Sequence, residues 1–467
     1  MKKFTRILSI VLCAFMVLTL CACGSETKSG TMVGFDDETA SIAGSGESGK
    51  PDEHASVAVS GNTSSATGES KVIMTGSDPF AKIPKHLRGT KVVFAHYGDE
   101  GASEYQKLGK SFEKKTGIKV EWKTFNQGEY VAQVAKQING GAAPDIIICT
   151  DTFPSFLEIA QPLQNIVDLK DDFWDDNLVK IGTVGGNSYM VNSLNSVWNS
   201  IYMVFYNKQL YSSNGIKSPG DYYKSGKWSY ENLKKCLEDV TKIGKTGGWI
   251  DSHSINVALG TSVIQYDADK KTFYSNNDKT IDAIQFVAQT YKEGLWTNAF
   301  WETFNNGTTG VNVGSAWGTK YNGWFENADD NMVAAVPLPT TYKGKTLKTA
   351  ANVRGYGIAK GAKNPQGAAY FLRYYLDYEY YDDAGANVFK NKSLEKVYFD
   401  DVMAQAKKNG VNYDFTNLFS IYSDSYINWI KETERKDPAQ IPGIVKSQNN
   451  VTDNVVKKAN EKLNQYK

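Results

Sequence analysis

Between Lys91 and Cys149 the chain alternates short apolar runs with amphipathic stretches, a rhythm that constrains the fold more than any other feature. Lys91-Val92-Val93-Phe94-Ala95-His96-Tyr97-Gly98 predicts a strand. Ser103, with Gln106 three residues on, forms a capping box for a helix whose apolar stripe is Tyr105, Leu108 and Phe112. Gly117 suits the C′ position of that helix. Ile118 to Phe125 alternates as a strand does, with Val120 and Trp122 on one face. A second helix is predicted from about Glu129 to Ile138, striped by Tyr130, Val134 and Ile138 and ended by Gly140-Gly141. Pro144-Asp145-Ile146-Ile147-Ile148-Cys149 is then a continuous apolar run, as expected of a strand buried on both faces. Strand–helix–strand–helix–strand implies a parallel sheet with right-handed crossovers. Ligands bind such sheets at the carboxyl ends of the strands, where the strand order switches. Those ends carry His96-Tyr97-Gly98, Phe125-Asn126-Gln127 and Thr150-Asp151-Thr152.

This pattern occupies only part of a 467-residue chain, which exceeds one compact core, so two lobes or more are expected. The N-terminus opens with basic residues, Met1-Lys2-Lys3-Phe4-Thr5-Arg6, followed by a nearly unbroken apolar run from Ile7 to Ala22. That run is shorter than the roughly 20 residues a permanent membrane span needs, and it fits the core of a signal peptide. Leu20-Cys21-Ala22-Cys23-Gly24 resembles the lipobox of bacterial lipoproteins. The resemblance implies that residues 1–23 form a signal ending at Cys23, which is diacylated and anchors the chain to the membrane. Two acyl chains hold stably because each buried CH₂ contributes about 0.8 kcal/mol. Residues 24–84, rich in Gly and Ser and poor in large apolar side chains, are expected to be a flexible tether.

A net charge of +1 leaves no electrostatic footprint for nucleic acid. Without a CxxC or HExxH motif, and with only four scattered His, no metal site is expected, nor is a cofactor. Beyond Cys23 the mature chain keeps Cys149 and Cys236, either as two buried thiols or as a disulfide.

Several segments, taken in order, resemble the extracellular solute-binding proteins that include maltose-binding protein. They are Phe112-Glu113-Lys114-Lys115-Thr116-Gly117-Ile118-Lys119-Val120, Gly140-Gly141-Ala142-Ala143-Pro144-Asp145-Ile146-Ile147 and Val204-Phe205-Tyr206-Asn207-Lys208-Gln209-Leu210. Gly226-Lys227-Trp228-Ser229, Phe304-Asn305-Asn306-Gly307 with Ala316-Trp317-Gly318, and Gly357-Ile358-Ala359-Lys360 through Asn364-Pro365 continue the series. The resemblance implies a two-lobed α/β fold of the periplasmic-binding-protein type (class II), with hinge crossovers and a cleft between the lobes. The amino-terminal lobe is expected over residues 85–203 and 333–385, and the carboxyl-terminal lobe over 204–332 and 386–467. It further implies a monomer, lipid-anchored on the outer membrane face, that closes on a mono- or oligosaccharide and delivers it to an ABC-transporter permease.

A sugar offers hydroxyls in fixed directions and apolar C–H faces, so its site needs planar aromatics and charged or amide groups. The resembled sugar binders supply a stacking Trp from the segment flanked here by Trp301, Trp317 and Trp324. Asp151 stands where they present an acid, although a helix N-cap is its structural alternative. Cys149 and Thr150 replace the aromatic often found before that acid, which departs from a maltodextrin pattern. Trp198 lies either in the cleft or in hinge packing. Tyr97 and Gln127 end strands at the switch-point edge. Arg354 and Tyr356 lie in a loop entering a strand that faces the cleft, and Arg354 suits a carboxylate, a hydroxyl pair or an interlobe ion pair. Trp228 reads as packing. Tyr378, Tyr380 and Tyr381, with Asp382 and Asp383, carry oxygen donors but read as a solvated helix end rather than a metal site. A secreted glycoside-active enzyme would need a pair of catalytic carboxylates, and none sits in a recognisable motif. The same fold with a peptide, polyamine or organic anion as its solute is the other alternative.

Overall fold

The computed structural model describes residues 78–97, 103–150, 152–296, 304, 306–315, 332–346, 348–386, 392–414, 418–419 and 424–467. The expected signal, Cys23 and residues 24–77 of the expected tether lie outside the described residues. The predicted alternation appears as β1 (Lys91–His96), α1 (Ser103–Thr116), β2 (Lys119–Thr124), α2 (Tyr130–Asn139) and β3 (Ile146–Cys149). Leu108 and Phe112 of α1 are buried, and Gly117 ends the helix in the left-handed region at φ 76°, its N–H returning to the Glu113 carbonyl. β1 runs parallel to β2 from Lys91↔Lys119 to His96↔Thr124, and parallel to β3 through Phe94↔Ile146. All four residues of β3 are buried, as its unbroken apolar run requires.

β4 (Ala160–Gln161) follows, then the small antiparallel pair β5 (Thr183–Val184) and β6 (Asn187–Ser188). β7 (Tyr202–Asn207) buries all six of its residues inside a second sheet. That sheet is completed by β8 (Thr246–Trp249), β11 (Thr309–Ser315) and β12 (Val333–Pro337), in the order β12-β7-β11-β8. Between β8 and β11 lies the hairpin β9 (Ile264–Asp267) and β10 (Thr272–Ser275). β13 (Thr349–Asn352) pairs in parallel with β15 (Val411–Asp414), and β14 (Gly355–Ala359) crosses back to the first sheet. The first sheet is therefore ordered β2-β1-β3-β14-β4, with β14 antiparallel to β3. Two separate sheets, each with its own helices, give the expected two-lobed α/β fold.

Two boundaries move. Residues 333–337, expected in the amino-terminal lobe, pair with β7 in the second sheet from Val333↔Asn207 to Pro337↔Met203. An interior strand such as β7 must satisfy backbone groups on both edges, and β12 supplies the second edge. The chain rejoins the first sheet only at Gly355. Packed structure also begins before residue 85, within the stretch expected to be tether. Phe80 and Ile83 are buried, and the Phe80 ring packs on Phe112, Tyr374 and Tyr380 at centroid distances of 6.2, 5.5 and 5.2 Å. Two large apolar side chains outweigh the Gly/Ser character of the residues before them.

Asp145, at the foot of β3, is 3% exposed. Its carboxylate accepts the Val93 N–H at 2.8 Å and the Asn364 N–H at 2.7 Å, tying β1 to the residue that precedes the helix starting at Pro365. Trp228, read as packing, is buried and donates Nε1–H to the Pro337 carbonyl at 2.7 Å. Helix α3 (Tyr230–Lys242) follows, with Cys236 on its buried side. Cys236 and Cys149 are both buried, and neither is in a disulfide. Helix α4 (Pro365–Tyr375) starts as predicted: the Asn364 side chain caps the Gly367 N–H, Pro365 takes the first turn, and Phe371, Leu372 and Tyr375 face inward. The last helix, α5 (Asn449–Asn464), grips β10 through Asn460, whose side chain exchanges hydrogen bonds with the Phe273 backbone. Lys462 of the same helix pairs with Glu158 at 2.6 Å. Among the described residues no helix is long and apolar enough to cross a membrane.

Candidate functional site

The first sheet opens where ligands are expected to bind. β1 and β3 pair through Phe94↔Ile146, and beyond that point a side chain stands between them. The Tyr130 hydroxyl, from the first residue of α2, donates to the Ala95 carbonyl at 2.8 Å and accepts the Ile148 N–H at 2.9 Å. Tyr130 is 1% exposed, so this phenol replaces the missing rungs of the ladder and fixes how far the strands part. Burial drives its pKa upward, which keeps the hydroxyl a neutral donor.

Three residues singled out in the sequence meet at this rim. Tyr97 follows the last residue of β1, while Arg354 and Tyr356 flank the first residue of β14, Gly355, which lies opposite Cys149 at the carboxyl end of β3. Antiparallel entry is what brings the start of β14 to the carboxyl ends of β1 and β3. A close backbone approach is required here, because a Cβ at Gly355 would meet the Met190 Sδ at 2.4 Å and one at Gly357 the Tyr189 carbonyl at 2.6 Å. The guanidinium carbon of Arg354 lies 5.2 Å from the Tyr97 ring centre. Tyr97 in turn stacks on His96 at 5.6 Å with a 7° interplanar angle. Tyr105 lies 4.9 Å from His96, Trp122 packs on both, and Tyr375 lies 5.6 Å from Tyr356.

The backbone beneath Arg354 is held from below. Asn192, 3% exposed, donates its amide to the Arg354 carbonyl at 2.6 Å, and its own oxygen accepts from the Ser193 N–H and the Ser196 hydroxyl. Val191 and Tyr356 exchange two backbone hydrogen bonds at 2.8 and 2.9 Å. Sequence reasoning missed Asn192; its only mark was an amide directly after the apolar Met190-Val191. His96 is 5% exposed, and no described residue bonds its Nδ1. Burial, with Arg354 adding repulsion, holds its pKa down to about 3, so the ring is neutral at physiological pH. Arg354 is an exposed residue, and among the described residues no ion pair or hydrogen bond of its guanidinium is seen. Aromatic faces around one forked cation can stack on a ring and donate hydrogen bonds to an oxygen-rich solute.

The other predicted residues are not placed by this geometry. Gln127 opens the short 3₁₀ turn Gln127–Glu129 after β2, and Trp198 lies in the 3₁₀ helix Leu194–Asn199; the side chains of both fall outside the description. Asp151, Trp301, Trp317 and Trp324 lie outside the described residues. The tyrosines weighed as oxygen ligands diverge. Tyr380 stacks on Tyr374 at 4.3 Å, Tyr378 on Phe399 at 4.0 Å, and Tyr381 lies against Tyr375 at 6.2 Å.

Solved structures share this fold. The cyclic alpha-maltosyl-1,6-maltose binding protein of Arthrobacter globiformis matches with a TM-score of 0.57 at 16% identity, over 79% of this chain and 99% of that one. The galacto-N-biose-/lacto-N-biose I-binding protein of a Bifidobacterium longum ABC transporter, solved with lacto-N-biose, matches at 0.56 and 13% identity, over 79% and 98%. The GacH receptor of Streptomyces glaucescens, solved unliganded and with acarbose, matches at 0.52 and 17% identity, over 81% and 99%. No curated protein matches the sequence. The family model for bacterial extracellular solute-binding proteins matches residues 97–382, more than half of the chain and the span that carries the second sheet, the first sheet except β1, and the rim residues. This chain belongs to the bacterial extracellular solute-binding proteins.

Proposed function

We propose that this protein captures a carbohydrate outside the cell and hands it, chemically unchanged, to the permease of an ABC importer. The observation that carries the reading is the convergence of Tyr97, Arg354 and Tyr356 at the open edge of the first sheet, in a chain of the solute-binding family. The structures with this fold named above are a maltosyl-maltose binder, a lacto-N-biose binder and an acarbose-bound receptor, which favours a saccharide as the solute. In this reading the second lobe closes over the rim by hinge motion. Trp301, Trp317 and Trp324 bring stacking faces from that side, with Trp198, Gln127 and Asp151 completing the cleft. Each stacked aromatic contributes roughly 0.5–1.5 kcal/mol beyond area burial. Cys23 carries the lipid that keeps the protein at the outer membrane face, and the residues after it form the tether. The protein acts as a monomer without cofactor.

A thermal-shift screen against saccharides, amino acids, peptides and polyamines tests this. A bound solute at a hundredfold excess over Kd stabilises the fold by about 2.7 kcal/mol. The expected result is stabilisation by a saccharide that mass spectrometry then recovers intact. Stabilisation by non-sugar solutes alone, or turnover of the saccharide, overturns the proposal.

A further inference from the structure

Arginines seldom stand in a preorganised aromatic setting without an anion. The planar guanidinium fork is built for two parallel hydrogen bonds to an oxyanion. Arg354 stands in such a setting. Its backbone is pinned by Asn192 and by the paired strand at Tyr356, so its base is rigid. One side of its guanidinium is covered by the Tyr97 ring, which pre-orients the fork and leaves its N–H edges unused among the described residues. The groups that bear on it electrostatically are the phenols of Tyr97, Tyr356, Tyr105 and Tyr375, together with His96, which is neutral at physiological pH. A solute seated here meets the guanidinium flanked by aromatic faces.

We infer that the solute is an acidic saccharide, a sugar bearing a carboxylate such as a uronate, and that Arg354 selects it by holding that carboxylate bidentately beside the Tyr97 ring. The inference rests on the carbohydrate reading above and sharpens it. Neutral hydroxyls satisfy the fork less well: a hydroxyl exchanges donors and acceptors with water at little loss, whereas a carboxylate accepts both N–H bonds and cancels the charge.

Isothermal titration of the full-length protein with digalacturonate, neutral galactobiose, galactose 1-phosphate and succinate separates the possibilities. The expected result is binding of digalacturonate, with galactobiose weaker by about 10- to 100-fold, the range for a charge-assisted pair. Arg354→Gln should lose about the same factor for the acidic sugar, and Arg354→Lys, which keeps the charge without the fork, should recover only part of it. Both variants should melt like the wild type without ligand, because the side chain is exposed. Equal binding of the neutral and acidic disaccharides, or unchanged digalacturonate affinity in Arg354→Gln, overturns the inference and leaves the carbohydrate reading standing. Preference for the sugar phosphate overturns the carboxylate assignment in the same way. Binding of succinate without any saccharide overturns both.

Discussion

Replacing Tyr130 by Phe removes one oxygen from the point where the first sheet parts. The ring stays in place, packed edge-on to Phe125 at 6.0 Å, so no large cavity forms. Two buried backbone groups lose their partner: the Ile148 N–H, bonded at 2.9 Å, and the Ala95 carbonyl, bonded at 2.8 Å. The gap left by one oxygen is too small to admit a water with several polar partners. An unsatisfied buried donor costs about 1–3 kcal/mol, and the carbonyl, with two lone pairs, falls at the lower end. The expected loss is therefore about 2–4 kcal/mol, a large share of the 5–15 kcal/mol typical of native proteins. Urea unfolding followed by tryptophan fluorescence measures it: the midpoint should fall while the slope with denaturant stays unchanged. A variant within about 0.5 kcal/mol of wild type would show that these strands do not depend on the phenol, and the account of the rim would fail.

Shortening the chain to begin at Lys85 should destabilise it by several kcal/mol relative to one beginning at Asp78, because Phe80 and Ile83 are lost from the core; equal urea midpoints would contradict this. Native protein should resist a bulky thiol reagent at Cys149 and Cys236, and both should react as free thiols after unfolding without reductant; a non-reducing mass two hydrogens short would reveal a disulfide instead. Stability should also fall with rising pH through a buried cluster in the second lobe. Burial opposes a charge on His253, but Asp414 at 2.8 Å, with Asp251 and Glu434, outweighs it and raises the pKa from 6.5 to about 9. Burial, with Asp251 adding, raises Glu434 from 4.5 to about 7. Both folded values exceed the unfolded ones, so the folded state binds more protons. The contribution is full at acid pH, then declines as Glu434 ionises towards pH 7 and as His253 deprotonates towards pH 9. Urea midpoints should fall between about pH 5 and about pH 9 less steeply in Glu434→Gln than in wild type; parallel curves would contradict the assignment.

The first three strands and two helices could be read from the sequence because each has a local signature: a period-two or continuous apolar run, a striped helix, a glycine at its end. The arrival of β14 between β3 and β4 carries no such signature, since it is set by contacts more than 190 residues apart, as between Ile358 and Gln161. For the same reason Val333–Pro337 looked like a strand returning to the first lobe, when its apolar pattern says only that it is buried. Aromatics gave the least direct guide to the site. Phe94, Phe112, Phe371, Tyr374 and Tyr356 pack together in one buried cluster, while Tyr97 is only partly buried and lies under Arg354, and composition does not distinguish the two situations. Arg354 was legible as a candidate because a cation entering a strand stands out. The Tyr97 ring over its guanidinium and the Asn192 prop beneath it appear only once the chain is folded.

The account stands or falls on whether a saccharide occupies the open edge of the first sheet. A crystal structure of the protein grown with a saccharide that stabilises it measures this directly. A sugar ring resting against Tyr97, with an oxygen on the Arg354 fork, is the predicted result. A saccharide bound away from the carboxyl ends of β1 and β3, with Tyr97 and Arg354 untouched, would contradict it.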